Sequence, residues 1–290
     1  MRKLLLIAAL WLGSLNIHSD YSANQPTDLI NINGVSIAYT TAGEEENPSV
    51  LMIMGLMASH KVWGEEIVNE LVNSGYRVIL FDNRDTGESE NLDRLGKPNL
   101  YWKFFMSYLG VDFSSPYTLS DMALDGIGVL DHLGIERAHI VGASMGGMIA
   151  QTIASEFPKR TKSLVSIMST TGAPHLSQMS ERNEQNFNNA GDWDKDAAHS
   201  YGFYPEAMPR QLTAIIKAGD RSEQVGSIKV STLVQHGVND TLLPPDHGEH
   251  TAELISNSKL KIYEDMGHNL PPEVLPFVIE DMVNFFKENG

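Results

Sequence analysis

The stretch Gly142-Ala143-Ser144-Met145-Gly146 places a serine among small residues, directly after one predicted strand and before a predicted helix. A sharp turn between such elements strains the serine backbone and exposes its hydroxyl at the carboxyl edge of the sheet. The pattern alone is weak evidence in a chain with 24 glycines, so the flanking strand and helix carry the argument. Ser144 is therefore the candidate nucleophile, and it needs a base to take its proton.

His268 is the candidate base among ten histidines. It lies in the loop after the last predicted strand, at the same sheet edge as Ser144; the alternative is an ordinary histidine of a surface loop. His139 lies inside the strand before the serine, and we interpret it as structural. His247 and His250 have the spacing of a metal pair, but no third ligand is evident, so we interpret them as helix-face residues and predict no metal site.

A carboxylate must hold the tautomer of the imidazole and stabilise its protonated form. Asp240 follows a predicted strand and so reaches the same edge, and the chain order Ser144, Asp240, His268 is the one that this chemistry shows on an α/β sheet. The alternatives are Asp246, beyond a Pro-Pro turn, and Asp265, which is too near His268 for good local geometry. The alternative for Asp240 itself is a purely structural role, as the turn-forming residue of an Asn-Asp pair.

Two main-chain N–H groups are predicted to stabilise the oxyanion that forms when a hydroxyl attacks a carbonyl. Met145 begins the helix after the serine, where an N–H group has no helical acceptor. Leu56 is the second candidate, because Gly55 before it lets the chain turn tightly after a buried strand. No cofactor is needed for this chemistry.

Short apolar runs alternate with segments of helical spacing from residue 49 onward. This alternation predicts an α/β fold with a mostly parallel sheet flanked by helices, preceded by a hairpin around Asn33-Gly34. The predicted strands are residues 49–54, 77–81, 138–141, 163–168, 231–235 and 260–263. The predicted helices are residues 63–73, 118–133, 145–156 and 276–287, the second beginning with a capping box of Thr118 and Asp121.

Two stretches interrupt this rhythm and are rich in aromatic residues, residues 100–116 and 174–226. The second is long enough for several helices between two strands, and we interpret it as a cap inserted into one domain spanning residues 25–290. The alternative for each aromatic side chain is that it simply covers the core.

Residues 1–24 are predicted to be a signal peptide, because Arg2 and Lys3 precede an apolar run that is too short to span a bilayer comfortably. We therefore expect a secreted or periplasmic protein, with no stable membrane insertion after cleavage. The chain has no cysteine, which excludes disulfides and thiolate chemistry. Its net charge of −16 argues against nucleic-acid partners and membrane surfaces.

Several motifs together resemble the α/β-hydrolase superfamily over residues 29–286. Residues 81–89, 141–148 and 245–248, with Met266-Gly267-His268, are similar to those of capped bacterial esterases, including the aclacinomycin methylesterase type. The resemblance implies a helical cap after the sixth strand and ester hydrolysis without a cofactor. Many relatives carry His-Gly where this chain has Met54-Gly55, a change that leaves the main-chain donor of Leu56 in place.

The sequence therefore predicts a serine hydrolase that cleaves small to medium carboxylic esters, most of them apolar, through an acyl-enzyme. The same three side chains could instead hydrolyse C–C bonds, lactones or amides, or carry out perhydrolysis, and a hydrolase-fold ligand receptor is the alternative outside enzymes. Dehalogenases and epoxide hydrolases are disfavoured because they use an aspartate where Ser144 stands. A dinucleotide-binding site is excluded by the glycine spacing.

Overall fold

The computed structural model describes residues 21–188 and 194–290, which fold around one eight-stranded sheet. The order of its strands is β1-β2-β4-β3-β5-β6-β7-β8. The strands are β1 (Asp28–Ile32), β2 (Val35–Ala42), β3 (Ser49–Ile53), β4 (Arg77–Phe81), β5 (Ala138–Ala143), β6 (Thr161–Ile167), β7 (Thr232–Gly237) and β8 (Ser258–Tyr263). The helices are α1 (Glu65–Asn73), α2 (Leu100–Tyr108), α3 (Leu119–His132), α4 (Met145–Glu156), α5 (Glu181–Asn188), α6 (Lys195–Ser200), α7 (Met208–Ala218), α8 (Ser222–Gly226), α9 (Asp246–Leu254) and α10 (Leu275–Glu288).

The sheet begins with a hairpin and continues in parallel. Asn33 and Gly34, with φ values of 52° and 84°, form the two-residue turn between β1 and β2. Strand β2 then pairs antiparallel with β4, and every pair from β4 to β8 is parallel. The predicted α/β architecture, a mostly parallel sheet flanked by helices, is confirmed.

Two apolar clusters cover the two faces of the sheet. In β3, Val50 and Met52 point into the cluster that contains residues of α1 and α10. Leu51 and Ile53 point into the other cluster, which contains residues of α3 and α4. A strand with helices on both faces is apolar at every position, which is why β3 shows no polar alternation.

Local sequence signals set the beginnings of α1 and α3. Thr118 and Asp121 form the predicted capping box at the start of α3. The predicted helix from residue 63 begins later, at Glu65, because Trp63 closes a 3-10 turn and Gly64 follows it with a φ of 78°. That backbone conformation interrupts a right-handed helix.

The predicted leader lies outside the described residues up to residue 20. Tyr21 is buried, its N–H donates to Asn69 Oδ1 (2.7 Å), and Asn69 Nδ2 donates to the Tyr21 carbonyl (3.2 Å). Tyr21 thus packs on α1, and the leader of residues 1–24, with its indistinct cleavage site, stays a prediction. In the described part of the chain, no helix has the length and apolar character to cross a membrane.

The segment between β6 and β7 carries α5 to α8 at the position predicted for the cap, although residues 189–193 lie outside the described residues. It touches the loop after β3 directly, where Ser59 N–H donates to the Gly202 carbonyl (2.8 Å) and Ala58 forms a bridge with Phe203. The other aromatic stretch forms α2, which packs on α7. The core-covering alternative is wrong for Tyr101 and Tyr108 of α2, which are 83% and 88% exposed.

Candidate active site

Ser144 stands at the turn from β5 into α4, with φ of 56° and ψ of −122°. This backbone conformation is strained for a residue with a side chain. The turn is also tightly packed, since a Cβ at Gly146 would lie 2.0 Å from the Ile53 carbonyl oxygen. The small residues around the serine therefore allow β5 and α4 to approach β3 closely and hold the serine hydroxyl above the sheet edge.

Ser144, His268 and Asp240 form one hydrogen-bonded chain. His268 Nε2 lies 2.9 Å from Ser144 Oγ, and His268 Nδ1 lies 2.7 Å from Asp240 Oδ2. The three residues come from the loops after β5, β7 and β8, which end at the same edge of the sheet. With an ionised Asp240, Nδ1 carries the proton and Nε2 is free to accept one from the hydroxyl.

Asp240 is buried and held as a carboxylate. Its Oδ1 accepts the N–H groups of Leu242 and Leu243, both at 2.9 Å, while His236 Nε2 lies 3.4 Å from Oδ2. Burial acts to raise the pKa of Asp240, but hydrogen bonding to His236 and His268 and the backbone bond from Leu243 outweigh it and lower the pKa well below its usual range. A permanent negative charge therefore faces His268 at neutral pH.

The other candidate residues lie elsewhere. Asp246 Oδ2 accepts the Ser177 N–H (2.8 Å). His247 and His250 lie on α9, as predicted, where their Nδ1 atoms contact threonine hydroxyls at 2.6 and 2.9 Å. Asp265 has no hydrogen bond to His268 among the described contacts. Among the residues that the structure describes, no group of three or more histidine or acidic side chains is arranged to hold a metal ion.

His139 is fully buried in β5, as expected for a structural residue. Its Nδ1 lies 2.8 Å from Ser163 Oγ, and its ring packs at a tilt against Phe286, with the two centroids 4.4 Å apart. Burial, with a smaller contribution from Lys162 and Arg137, lowers the pKa of His139 to about 4.

The two predicted oxyanion donors lie on the segments that meet at Ser144. Met145 is the first residue of α4, and the first N–H groups of a helix have no acceptor within it. The loop carrying Leu56 adjoins the serine, because a Cβ at Gly55 would lie 3.0 Å from Ser144 Cβ. The neighbouring Met57 has a φ of 62°, so the chain turns sharply immediately after Leu56.

Sequence reasoning missed several residues that hold this site. Gln211 of α7 accepts the Met57 N–H at 2.7 Å, and Asn83 Nδ2 donates to the Met54 carbonyl at 2.7 Å, so both fix the loop that carries Leu56. His236 was also missed, although it lies four residues before Asp240 at the end of β7. The four-residue spacing of His236 and Asp240 could have been recognised in the sequence. No sequence pattern predicts the contact of Gln211, because that contact depends on how the proposed cap packs.

Comparisons with known proteins identify the family and the fold of the chain. The α/β hydrolase fold family matches residues 48–201. Rhodomycin D methylesterase from Streptomyces peucetius is 25% identical to this chain, over 85% of it and 93% of the relative. A 2-hydroxy-6-oxo-6-phenylhexa-2,4-dienoate hydrolase from Comamonas testosteroni is 27% identical, over 80% of this chain and 84% of the relative. The crystal structure of an enol-lactonase from Burkholderia xenovorans superposes with a TM-score of 0.69 at 19% identity, covering 90% of this chain and all of the enzyme, and shows the same fold.

The predicted resemblance to bacterial methylesterases is therefore confirmed. The match to the family extends over more than half of the chain, from β3 through the serine turn and into the segment before β7. The eight-stranded, mostly parallel sheet flanked by helices is the architecture that this fold family's name describes. On this evidence, the chain belongs to the α/β-hydrolase superfamily.

Proposed function

We propose that the protein is a serine esterase that hydrolyses carboxylic esters through an acyl-enzyme. One observation carries the proposal: Ser144 Oγ, the His268 ring and Asp240 Oδ2 form a continuous chain with contacts of 2.9 and 2.7 Å. The similarity to a methylesterase adds support for an ester as the substrate.

In the proposed reaction, His268 Nε2 takes the hydroxyl proton while Ser144 Oγ attacks the ester carbonyl carbon. The N–H groups of Leu56 and Met145 hold the negatively charged oxygen of the tetrahedral intermediate. His268 then gives the proton to the departing alcohol, which leaves an acyl group on Ser144. A water molecule, deprotonated by His268, releases the carboxylic acid and restores the hydroxyl.

Residues 174–226 are proposed to cap this site and to favour apolar acyl groups of small to medium size. Their contacts with the loop after β3 support the cap, since both Ser59 and Met57 bond to residues 202–204. Export to the periplasm or the medium is also proposed, from the apolar leader alone.

Labelling with a fluorophosphonate and turnover of p-nitrophenyl esters of rising chain length test the proposal. We expect labelling and turnover in the native protein and neither in Ser144→Ala, with an unchanged circular dichroism spectrum. Undiminished turnover by clean Ser144→Ala protein would refute the proposal. Labelling without turnover of any ester would favour the ligand receptor instead.

A C–C bond hydrolase is the second candidate. The relative from Comamonas testosteroni, at 27% identity, is a 2-hydroxy-6-oxo-6-phenylhexa-2,4-dienoate hydrolase. The two activities separate on paired substrates, a p-nitrophenyl ester and a 2-hydroxy-6-oxo-dienoate. We expect a specificity constant for the ester at least tenfold above that for the dienoate, and the reverse order would assign the C–C reaction.

A further inference from the structure

His236 is a buried histidine beside Asp240 that the proposed reaction does not use. It lies near the end of β7 and is fully buried. Its Nε2 lies 2.8 Å from the Leu243 carbonyl oxygen and 3.4 Å from Asp240 Oδ2. The same oxygen of Asp240 lies 2.7 Å from His268 Nδ1, so two imidazole rings approach one carboxylate oxygen.

The contacts of the His236 ring determine which nitrogen carries its hydrogen. A carbonyl oxygen only accepts hydrogen bonds, so Nε2 is the protonated nitrogen and donates to Leu243. The other nitrogen, Nδ1, is enclosed, because a Cβ at Gly248 of α9 would lie 2.6 Å from it. Among the residues that the structure describes, Nδ1 has no hydrogen-bond partner. The ring therefore presents an N–H group to the turn that carries Asp240.

This N–H group connects the two ends of the turn after β7. Asp240 Oδ1 accepts the N–H groups of Leu242 and Leu243, both at 2.9 Å. The carbonyl of Leu243 in turn accepts the His236 N–H. The backbone thus occupies Oδ1, and Oδ2 is left to the two imidazoles. Rotation of the carboxylate would break the bonds at Oδ1 and move Oδ2 away from both rings.

We propose that His236 is a positioning residue of the proposed esterase, whose Nε2–H holds the Asp240 carboxylate in the orientation that meets His268. This role rests on the proposed function, because the alignment matters for catalysis only if Asp240 and His268 serve Ser144. An N–H group beside Oδ2 also draws negative charge from the oxygen that faces His268. Without it, Asp240 attracts the protonated form of His268 more strongly, so that His268 keeps its proton to a higher pH.

Two other titratable groups, His247 and Asp246 of α9, lie near this region and are engaged elsewhere. His247 contacts the Thr170 hydroxyl and the Ser177 carbonyl at 2.6 and 2.9 Å, and burial lowers the pKa of His247. Asp246 Oδ2 accepts the Ser177 N–H; burial acts to raise the pKa of Asp246, but hydrogen bonding to Ser177 outweighs it and lowers that pKa. Protonation of either group in mild acid is therefore disfavoured, which leaves His268 as the group whose protonation ends activity.

Two substitutions of equal side-chain length test the positioning role. His236→Met removes the donor, whereas His236→Gln keeps an N–H group at the same number of bonds from the backbone. With p-nitrophenyl butyrate, His236→Met should lower kcat by about tenfold with little change in KM. It should also move the midpoint of the acid limb of kcat/KM upward by about half a pH unit. His236→Gln should recover most of both effects.

Both variants lose the ring and its packing against Gly248, so a purely structural role would affect them alike. The same kcat in both, or a loss in His236→Met with an unmoved acid limb, would overturn the proposed role. Native protein that turns over no ester would instead contradict the proposed function.

The tautomer of His236 can be measured in the native protein without turnover, by ¹⁵N-edited NMR of the ring, with His236→Gln used to assign its signals. We expect a hydrogen on Nε2 and a bare Nδ1 at pH 7.5. A bare Nε2 would overturn the proposed role even if His236→Met failed to fold, because the ring could then donate to neither Leu243 nor Asp240. This measurement stands whether or not the protein hydrolyses esters.

Discussion

Gln211 Oε1 accepts a 2.7 Å hydrogen bond from the backbone N–H of Met57. The Met57 carbonyl in turn accepts the N–H of Tyr204 at 2.7 Å, so both backbone groups of Met57 bond to the segment between β6 and β7. Met57 also has a φ of 62°, which a residue with a side chain adopts only when its surroundings hold it there. The proposed cap therefore holds the turn that immediately follows Leu56.

Gln211→Met should lower kcat by about tenfold with little change in KM, because a misdirected Leu56 N–H weakens the stabilisation of the oxyanion and leaves ground-state binding intact. Gln211 is fully buried and does not reach a substrate directly. Steady-state kinetics with p-nitrophenyl butyrate measure both constants.

Thr213→Val is the matched control, since Thr213 is a buried polar residue of the same helix whose hydroxyl bonds to the Pro209 carbonyl and not to the loop. It should preserve kcat. Gln211 would support only the fold if both variants had the same kcat. The same conclusion would hold if the loss of kcat in each variant were proportional to its loss of thermal stability.

Asp240→Asn should lower kcat by about 10⁴-fold with the fold intact. The neutral amide cannot stabilise the positive charge of a protonated His268. Its NH₂ group also donates to Nδ1, which favours the tautomer in which Nε2 carries the proton and cannot accept another. The substitution keeps the shape of the side chain and the acceptor for the N–H groups of Leu242 and Leu243. Single-turnover kinetics measure the loss, and a decrease smaller than about tenfold would mean that another carboxylate orients His268.

Much of this site was readable from the sequence because parallel strands end at a common edge. Ser144, Asp240 and His268 each follow an apolar run that forms β5, β7 or β8, and the parallel pairing of these strands places all three residues at one edge. No such rule covers the segment between β6 and β7, where Gln211 is one of several polar residues on a helix. Its contact with Met57 depends on tertiary packing across 154 residues of chain.

The orientation of α2 could not be predicted from the sequence for a different reason. Aromatic composition predicts that a segment prefers to leave water, but it does not say what covers the segment. The helix packs on α7, and its Lys103 contacts Ser114 and Phe113, which come from the chain beyond the helix. These tertiary contacts cannot be predicted from the composition of α2.

His139 should make the protein less stable in mild acid. Its pKa in the folded state is lowered to about 4 by burial, below the value of about 6.5 in an unfolded chain. The unfolded state therefore binds more protons between these two values. The contribution of neutral His139 to the free energy of unfolding is complete above pH ~6.5 and is lost as pH falls toward ~4, by up to about 3 kcal/mol.

Urea denaturation from pH 7.5 to 4 measures this dependence. His139→Phe keeps an aromatic ring against Phe286 and Tyr76 and should show a shallower decline than the native protein. The control His132→Gln removes an exposed histidine of α3 and should follow the native profile. Parallel profiles for His139→Phe and the native protein would mean that other groups cause the acid sensitivity.

Ser144→Gly should be more stable than Ser144→Ala by about 1 kcal/mol, although both lack the nucleophile. The φ of 56° and ψ of −122° at this position strain alanine as they strain serine, at a cost on the order of 1–3 kcal/mol, whereas glycine adopts them freely. The gain is reduced by about 0.4–1 kcal/mol because a glycine loses more backbone freedom on folding. Both variants lose the 2.9 Å contact with His268, so that loss cancels in the comparison.

Urea denaturation of the two variants at pH 7 gives the difference directly, with equal slopes required so that the unfolded states are comparable. A glycine variant that is no more stable than the alanine variant would show that the strain at Ser144 does not exceed the ~0.4–1 kcal/mol that glycine loses in backbone freedom. A more stable glycine variant would mean that backbone strain at residue 144 lowers the stability of the native protein. The serine side chain is needed at this strained position to present its hydroxyl to His268.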